Sequence, residues 1–290
     1  MKIAKNCICC NSIKIVSSPS VLMPFISHRI FNWKPTLITK KWNLNTIKSG
    51  MSYSICNSLL CLDCNLIFLD MRFDDEELGR LYHNYRDKNY SNLRNKYEPG
   101  YNLINKIQNL PINYLKKVEN FLTPFLKFPI KVLDFGGDDG HNTPFKNSKN
   151  IIHVYDISNK VVKKGVKNVN KKNMLKKYDL IILSQVIEHV SYPKVIIDEV
   201  KNILDKNSIF YIELPLEKLL QKIWNGGGGG GEFLKCLKKK KHWHEHINFY
   251  SKKSLVKLLG QCDLKIIKMK ILTVEVYKSA EVVQIACKKI

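Results

Sequence analysis

The densest chemistry in the chain is the run Val132-Leu133-Asp134-Phe135-Gly136-Gly137-Asp138-Asp139-Gly140, an apolar stretch that ends in an acid and a glycine-rich turn. Gly136, Gly137 and Gly140 let the backbone approach a ligand closely, and amides at such a turn can hold a carboxylate. A dinucleotide-binding turn would read Gly-x-Gly-x-x-Gly without an acid just before it. Asp134 stands in that place here and suits a ligand with an ammonium group, such as a methionine-derived sulfonium. Twenty residues beyond Gly136, a second apolar stretch closes on Asp156 in His153-Val154-Tyr155-Asp156-Ile157-Ser158. A carboxylate at that tip accepts hydrogen bonds from both hydroxyls of a ribose. Its alternative role is to cap a helix over 158–164. A third stretch, Tyr178-Asp179-Leu180-Ile181-Ile182-Leu183, delivers Ser184, Glu188 and His189 at its carboxyl end.

Two further clusters carry side-chain chemistry. Cys7-x-x-Cys10 and Cys61-x-x-Cys64 have the spacing with which two tight turns bind a tetrahedral structural zinc. Cys9 and Cys56 lie close by, and a small core of reduced thiols is the alternative. The run His242-Trp243-His244-Glu245-His246-Ile247-Asn248-Phe249-Tyr250-Ser251 gathers three histidines and a glutamate, groups suited to acceptor binding and general-base work near neutral pH. Read blandly, it is the entry to a helix capped by Ser251, with Phe249 and Tyr250 in the core; a second metal at His242, His244 and His246 is a further reading.

Strands are expected at 130–135, 151–156, 178–183 and 208–214, with helices over 160–168 and 192–204, the latter placing Val195, Ile196, Val200 and Ile203 on one face. That alternation predicts a parallel sheet covered by helices. A helix near 251–259 and two closing strands at 265–272 and 281–288 suit an antiparallel addition to it. Asp74-Asp75-Glu76-Glu77 reads as an acidic first helical turn. The six glycines from Gly226 to Gly231 read as a flexible loop tip, because ordering glycine costs more backbone entropy than ordering any other residue. The expected division is a zinc-binding module at 1–70, a helical linker and cap at 71–125, and the nucleotide-binding unit at 126–290.

The chain has 290 residues, 44% of them hydrophobic, enough for a real core and unlike a disordered or fibrous protein. It shows no membrane-spanning run and no signal segment, so a cytoplasmic location is expected. The net charge of +23 raises nucleic acid as a partner. Yet the only arginines are Arg29, Arg72, Arg80, Arg86 and Arg94, amid abundant lysine, asparagine and isoleucine, the pattern an AT-rich coding sequence produces without selection for binding.

Taken in order, the Asp134–Gly140 turn, Asp156 and the Val186-Ile187-Glu188-His189-Val190 run resemble the class I S-adenosylmethionine-dependent methyltransferases over residues 130–290. Cys7, Cys10, Cys61 and Cys64, followed by Tyr85-Arg86-x-x-x-Tyr90-x-x-x-Arg94-x-x-Tyr97, extend the likeness to bacterial members that act in sugar and surface-polysaccharide biosynthesis and carry an N-terminal four-cysteine zinc-binding module. The resemblance implies an α/β fold with a Rossmann-like seven-stranded methyltransferase sheet beside that module. It implies S-adenosylmethionine held by Asp134, Gly136, Gly137, Gly140, Asp156 and Ser184, a structural zinc ion, and a small sugar-type acceptor methylated on oxygen. His189 and His246 are the candidates for the base, with Glu188 and Glu245 orienting them and Glu213 a further acceptor-side group. The pattern departs from the family at Asp138, where its motif has glycine. An RNA methyltransferase using the basic surface, and a binding protein made inactive by Asp138, are the alternatives.

Overall fold

The computed structural model describes the chain except residues 44–48, 148, 159, 225–229 and 276–277. A seven-stranded sheet runs in the order Lys167–Asn168, Ile151–Tyr155, Lys131–Phe135, Leu180–Ser184, Ile209–Pro215, Ser279–Lys289 and Leu264–Glu275. The first five strands are parallel, and the long closing hairpin joins them antiparallel. Successive side chains of a strand point to opposite faces. Accordingly Leu133, Ile181 and Phe210 enter one hydrophobic core, and Val132, Ile182 and Tyr211 another. Helices lie on both faces, as the apolar character of the parallel strands requires.

The 1–70 region builds a separate five-stranded sheet, in the order His242–Trp243, Ile15–Leu22, Ile55–Cys61, Ile67–Leu69, Asn248–Phe249. Its two edge strands therefore come from the histidine-rich segment late in the chain. Trp243 and Phe249 pack in the same core as Leu22, Phe25 and Leu133. This borrowed pairing fixes the residues between the two edge strands, Glu245 and His246 among them, against the carboxyl ends of the parallel strands. Buried Arg72 reinforces it. Its guanidinium donates to the carbonyls of Leu69 and Ser191 and to Asn248 Oδ1, while Asn248 Nδ2 donates to the carbonyls of Ile187 and Val190.

The acidic turn at Asp74 forms a full capping box with Glu77 on helix Asp75–Tyr82, and Ser251 caps helix Lys252–Gly260 in the same way. Two expectations need correction. Residues 160–168 hold no helix: Gly165 has a φ of +85°, Val161 is 92% exposed, and only the short strand Lys167–Asn168 forms. Branched valines around a glycine offer too little helix propensity and no face to bury. The helix expected over 192–204 is Pro193–Lys201, started by its proline; it buries Ile197 and Val200, while Val195 points out at 62% exposure. The glycine run falls mostly outside the described residues, and Gly230 and Gly231 open helix Gly230–Lys239.

Candidate functional site

The ends of the parallel strands, the 107–114 segment and the 244–246 turn enclose a cleft of about 620 Å³. Asp134, Gly136, Gly137, Asp138, Ser184, His189, Glu245 and His246 all line it. Asp134 is 5% exposed and accepts a hydrogen bond from Thr143 Oγ1 at 2.6 Å. Burial, opposed by the Thr143 bond and helped by the charge of Asp156, pushes its carboxyl up to about 6. Gly137 is obligatory there, because a Cβ on it would stand 2.5 Å from Asp134 Cγ. Gly136 and Gly140 adopt φ of +85° and +75°, and the Gly136 amide donates to the Tyr155 carbonyl.

Asp138 also lies in the left-handed region, at φ +53°. Glycine is at ease there and aspartate is among the few residues that tolerate it. Its side chain turns away to Lys160 Nζ, 2.8 Å off, and its amide donates to Asp156 Oδ2 at 2.9 Å. Asp156 also accepts from the Ser158 amide at 2.8 Å. It therefore caps a turn rather than the helix considered from sequence. Two amides leave lone pairs free on a carboxylate, so Asp156 keeps capacity for a ribose hydroxyl. A buried acid, a turn in which Gly137 has no room for a side chain, and this second carboxylate fit the polar groups of S-adenosylmethionine.

Across the cleft, the rings of His189 and His246 lie 4.7 Å apart. His189 Nδ1 is 3.1 Å from the Glu245 carbonyl and 3.0 Å from the Tyr82 hydroxyl. A carbonyl can only accept, so Nδ1 carries the proton and Nε2 is left with its lone pair. Burial, with the nearby His246, lowers the His189 pKa to about 3 and keeps the ring neutral. His246 is the opposite case. Burial works against its cation, but the 2.6 Å bond from Nδ1 to Glu217 and the charges of Glu217, Glu188 and Glu245 raise it to about 9. Glu188 is 1% exposed, neither of its carboxyl oxygens has a hydrogen-bond partner among the described residues, and Oε1 lies 3.8 Å from His189 Nε2. Burial, above all, pushes its carboxyl up to about 7.

The Glu245 carboxylate bonds neither His189 nor His246, against the expectation from sequence that it orients one of them. It accepts from Tyr90 at 2.6 Å and pairs with Arg94 at 2.9 Å; burial would raise its pKa, but Arg94 and the neighbouring histidines hold it at about 2. Glu217 takes the orienting place instead. It stands two residues past Pro215 at a strand end, a position whose only sequence signal is an acid just outside a buried strand. Glu213 is 1% exposed and lies behind the cleft wall, where it accepts from Tyr114, Ser184, Gln185, Tyr211 and Gln284. His244 bonds Glu98 and Arg94, away from His246.

The four cysteines converge as their spacing predicts. Cys7 and Cys64 sulfurs are 3.5 Å apart, as are those of Cys10 and Cys61, and all four lie within 4.8 Å of one another. Four thiolates about 2.3 Å from a tetrahedral zinc stand about 3.8 Å from each other, so the cluster fits the ion. Cys9 bonds the Ser254 carbonyl and Cys56 contacts Ser20, outside the four.

Residues 108–269, more than half of the chain, match the family model of a methyltransferase domain. No curated protein matches the sequence. Among solved structures, the 1,6-didemethyltoxoflavin-N1-methyltransferase of Burkholderia thailandensis is 13% identical, with a TM-score of 0.50 over 78% of this chain and 95% of that one. The magnesium protoporphyrin IX methyltransferase of Synechocystis is 15% identical, with a TM-score of 0.47 over 74% of this chain and 100% of its own. The first of these likenesses concerns the fold alone. No helix among the described residues is long and apolar enough to cross a membrane. With the matched family model spanning the glycine turn, Asp156 and the Glu188-His189 end of the cleft, the chain belongs to the methyltransferase-domain family and is an S-adenosylmethionine-dependent methyltransferase.

Proposed function

We propose that the chain methylates a small-molecule acceptor of sugar type, such as a nucleotide-sugar of surface-polysaccharide biosynthesis, on a hydroxyl oxygen, with Asp134, Gly136, Gly137, Gly140, Asp156 and Ser184 holding S-adenosylmethionine. When bound, the cofactor supplies an electrophilic methyl carbon on a sulfonium. The protein's share is positioning and removal of the acceptor proton. The observation that carries this reading is the contact of His189 Nδ1 with the Glu245 carbonyl, which leaves Nε2 its lone pair, at the wall of the same cleft that Asp134 and Gly136 line. His189 takes the proton, and the Glu188 carboxylate beside it favours the imidazolium that results. His246, held as a cation by Glu217, donates toward an acceptor oxygen. In this reading Glu245 holds the Tyr90-Arg94 helix against the site.

We also infer that Cys7, Cys10, Cys61 and Cys64 hold a structural zinc ion within a module at 1–70, followed by a cap at 71–125 and the catalytic domain at 126–290. The fit of the sulfur spacing supports it. Incubation with methyl-labelled S-adenosylmethionine and a set of nucleotide-sugars tests the acceptor class. A sugar product heavier by one methyl group is expected. Label entering RNA while every sugar stays unlabelled would overturn the acceptor assignment.

A further inference from the structure

Two arginines line the cleft, and they differ in one respect. Arg94 is neutralised by Glu245 and Glu98, each at 2.9 Å. Arg86 has no carboxylate partner among the described residues. Its guanidinium stacks on the Tyr85 ring at 4.7 Å, and its one hydrogen bond, from Nη1 to the Gln108 carbonyl, is stretched to 3.5 Å. Nε is shut off from water without a partner among the described residues. A guanidinium offers five N–H donors, so most of this one's capacity is unspent.

The backbone is arranged to keep it there. Arg86 has φ of +61°, an uncommon conformation for a residue with a Cβ, and its carbonyl is held by Asn105 Nδ2 at 3.0 Å. Strain of this kind gathers where a side chain must be aimed. The other cation facing the cleft, His246, is already tied to Glu217. Arg86 is thus, among the described residues, the cation without a carboxylate bonded to it at the wall shared by the glycine turn and His189, with Glu245 and Asp138 acting on it only at longer range.

We infer that Arg86 is an anion-binding residue of this cleft and receives a carboxylate or phosphate group through its planar fork. The inference rests on the methyltransferase reading for what enters the cleft. The anion has two sources, the methionyl carboxylate of the cofactor or an acidic group on the acceptor.

Calorimetry on the full chain separates them, using S-adenosylhomocysteine, decarboxylated S-adenosylmethionine and pyrophosphate as probes. The variants are Arg86→Ala, Arg86→Lys and Arg86→Gln, the last retaining bulk against Tyr85 in case alanine does not fold. If the cofactor supplies the anion, Arg86→Ala and Arg86→Gln weaken S-adenosylhomocysteine about tenfold or more and leave the decarboxylated probe unchanged. If the acceptor supplies it, S-adenosylhomocysteine binds as before, and the pyrophosphate that the loaded wild-type chain takes up is lost in both variants. Arg86→Lys, which keeps the charge without the fork, falls between. Wild-type affinity for all three probes in folded Arg86→Ala or Arg86→Gln overturns the inference. Should the wild-type chain bind neither adenosyl probe, the cofactor reading itself fails. Pyrophosphate on the unloaded chain then still decides the arginine: loss in the variants supports it, and equal or absent binding overturns it.

Discussion

Lys160 Nζ stands 2.8 Å from Asp138 Oδ1, so the carboxylate that stands in the glycine-rich turn where the resembled motif has glycine is met by a cation. The departure at Asp138 therefore comes with its own compensation. It leaves the Asp138 amide free to donate to Asp156.

A double-mutant cycle reads this compensation through S-adenosylhomocysteine affinity, measured by calorimetry. Lys160→Ala leaves the Asp138 charge unpaired beside the ligand's carboxylate and should weaken binding several-fold. Asp138→Gly relieves the left-handed backbone and removes the charge, and should tighten it. In the double variant the loss of Lys160 should cost almost nothing, giving a coupling of about 0.5–1 kcal/mol for a partly exposed pair. Additive effects would mean that the pair does not act on the cofactor.

The acceptor step should follow a bell-shaped pH profile. Glu188 titrates at about 7 and must be ionised to favour the imidazolium of His189, so kcat/KM rises through that pH. His246 is raised to about 9, and its loss of charge gives the falling limb. Glu188→Gln should abolish the rising limb and lower kcat by about 10- to 100-fold. An unchanged acid limb in that variant would remove Glu188 from the proton path.

Stability carries the same groups with a definite sign. The Glu188 pKa is raised from 4.5 to about 7, so its contribution is complete below 4.5 and disappears as pH rises through 7. His189 runs the other way: lowered from 6.5 to about 3, it contributes fully above 6.5 and is lost as pH falls toward 3. Glu188→Gln isolates the first effect. Its urea midpoint relative to wild type should increase between pH 5 and pH 8, because the variant has no buried carboxyl to ionise.

How much of this could be read from sequence depended on whether the partner groups were local. Asp134, Gly136, Gly137, Asp156 and the Glu188-His189 pair sit on strand ends, and a parallel sheet brings successive strand ends together whatever the rest of the chain does. The convergence of the four cysteines followed from two tight turns. What could not be read depends on pairing over long distances. The clamp of Arg72 on Asn248 spans 176 residues, and the Tyr90 and Arg94 bonds that occupy Glu245 reach across more than 150. The misplaced helix at 160–168 is a different failure, because apolar spacing alone cannot show that Val161 has nothing to pack on.

Glu213 gathers five donors near the end of its strand, four of them from residues that line the cleft wall, Tyr114, Ser184, Gln185 and Tyr211. Glu213→Ala would strand these donors in a dry interior and should cost on the order of 3–5 kcal/mol in urea unfolding. Glu213→Gln keeps the shape but must turn an NH₂ toward donors, and should recover only part of that loss. A cost below about 1 kcal/mol for the alanine variant would show that water replaces the carboxylate there.

Metal removal should reach the active cleft, because the sheet built by the cysteine module holds the strands His242–Trp243 and Asn248–Phe249 that flank Glu245 and His246. Cys61 ends the central strand of that sheet, so Cys61→Ser removes one of the four thiols at the point where their cluster meets the sheet. The wild-type chain should carry about one zinc per molecule by atomic emission, and the variant close to none. Its melting temperature should fall by several degrees or more. Methyl transfer should fall with it, since His246 and Glu245 lose the pairing that sets their place relative to His189. A metal-free variant that kept both its melting temperature and its turnover would show that the four thiols pack as an ordinary core.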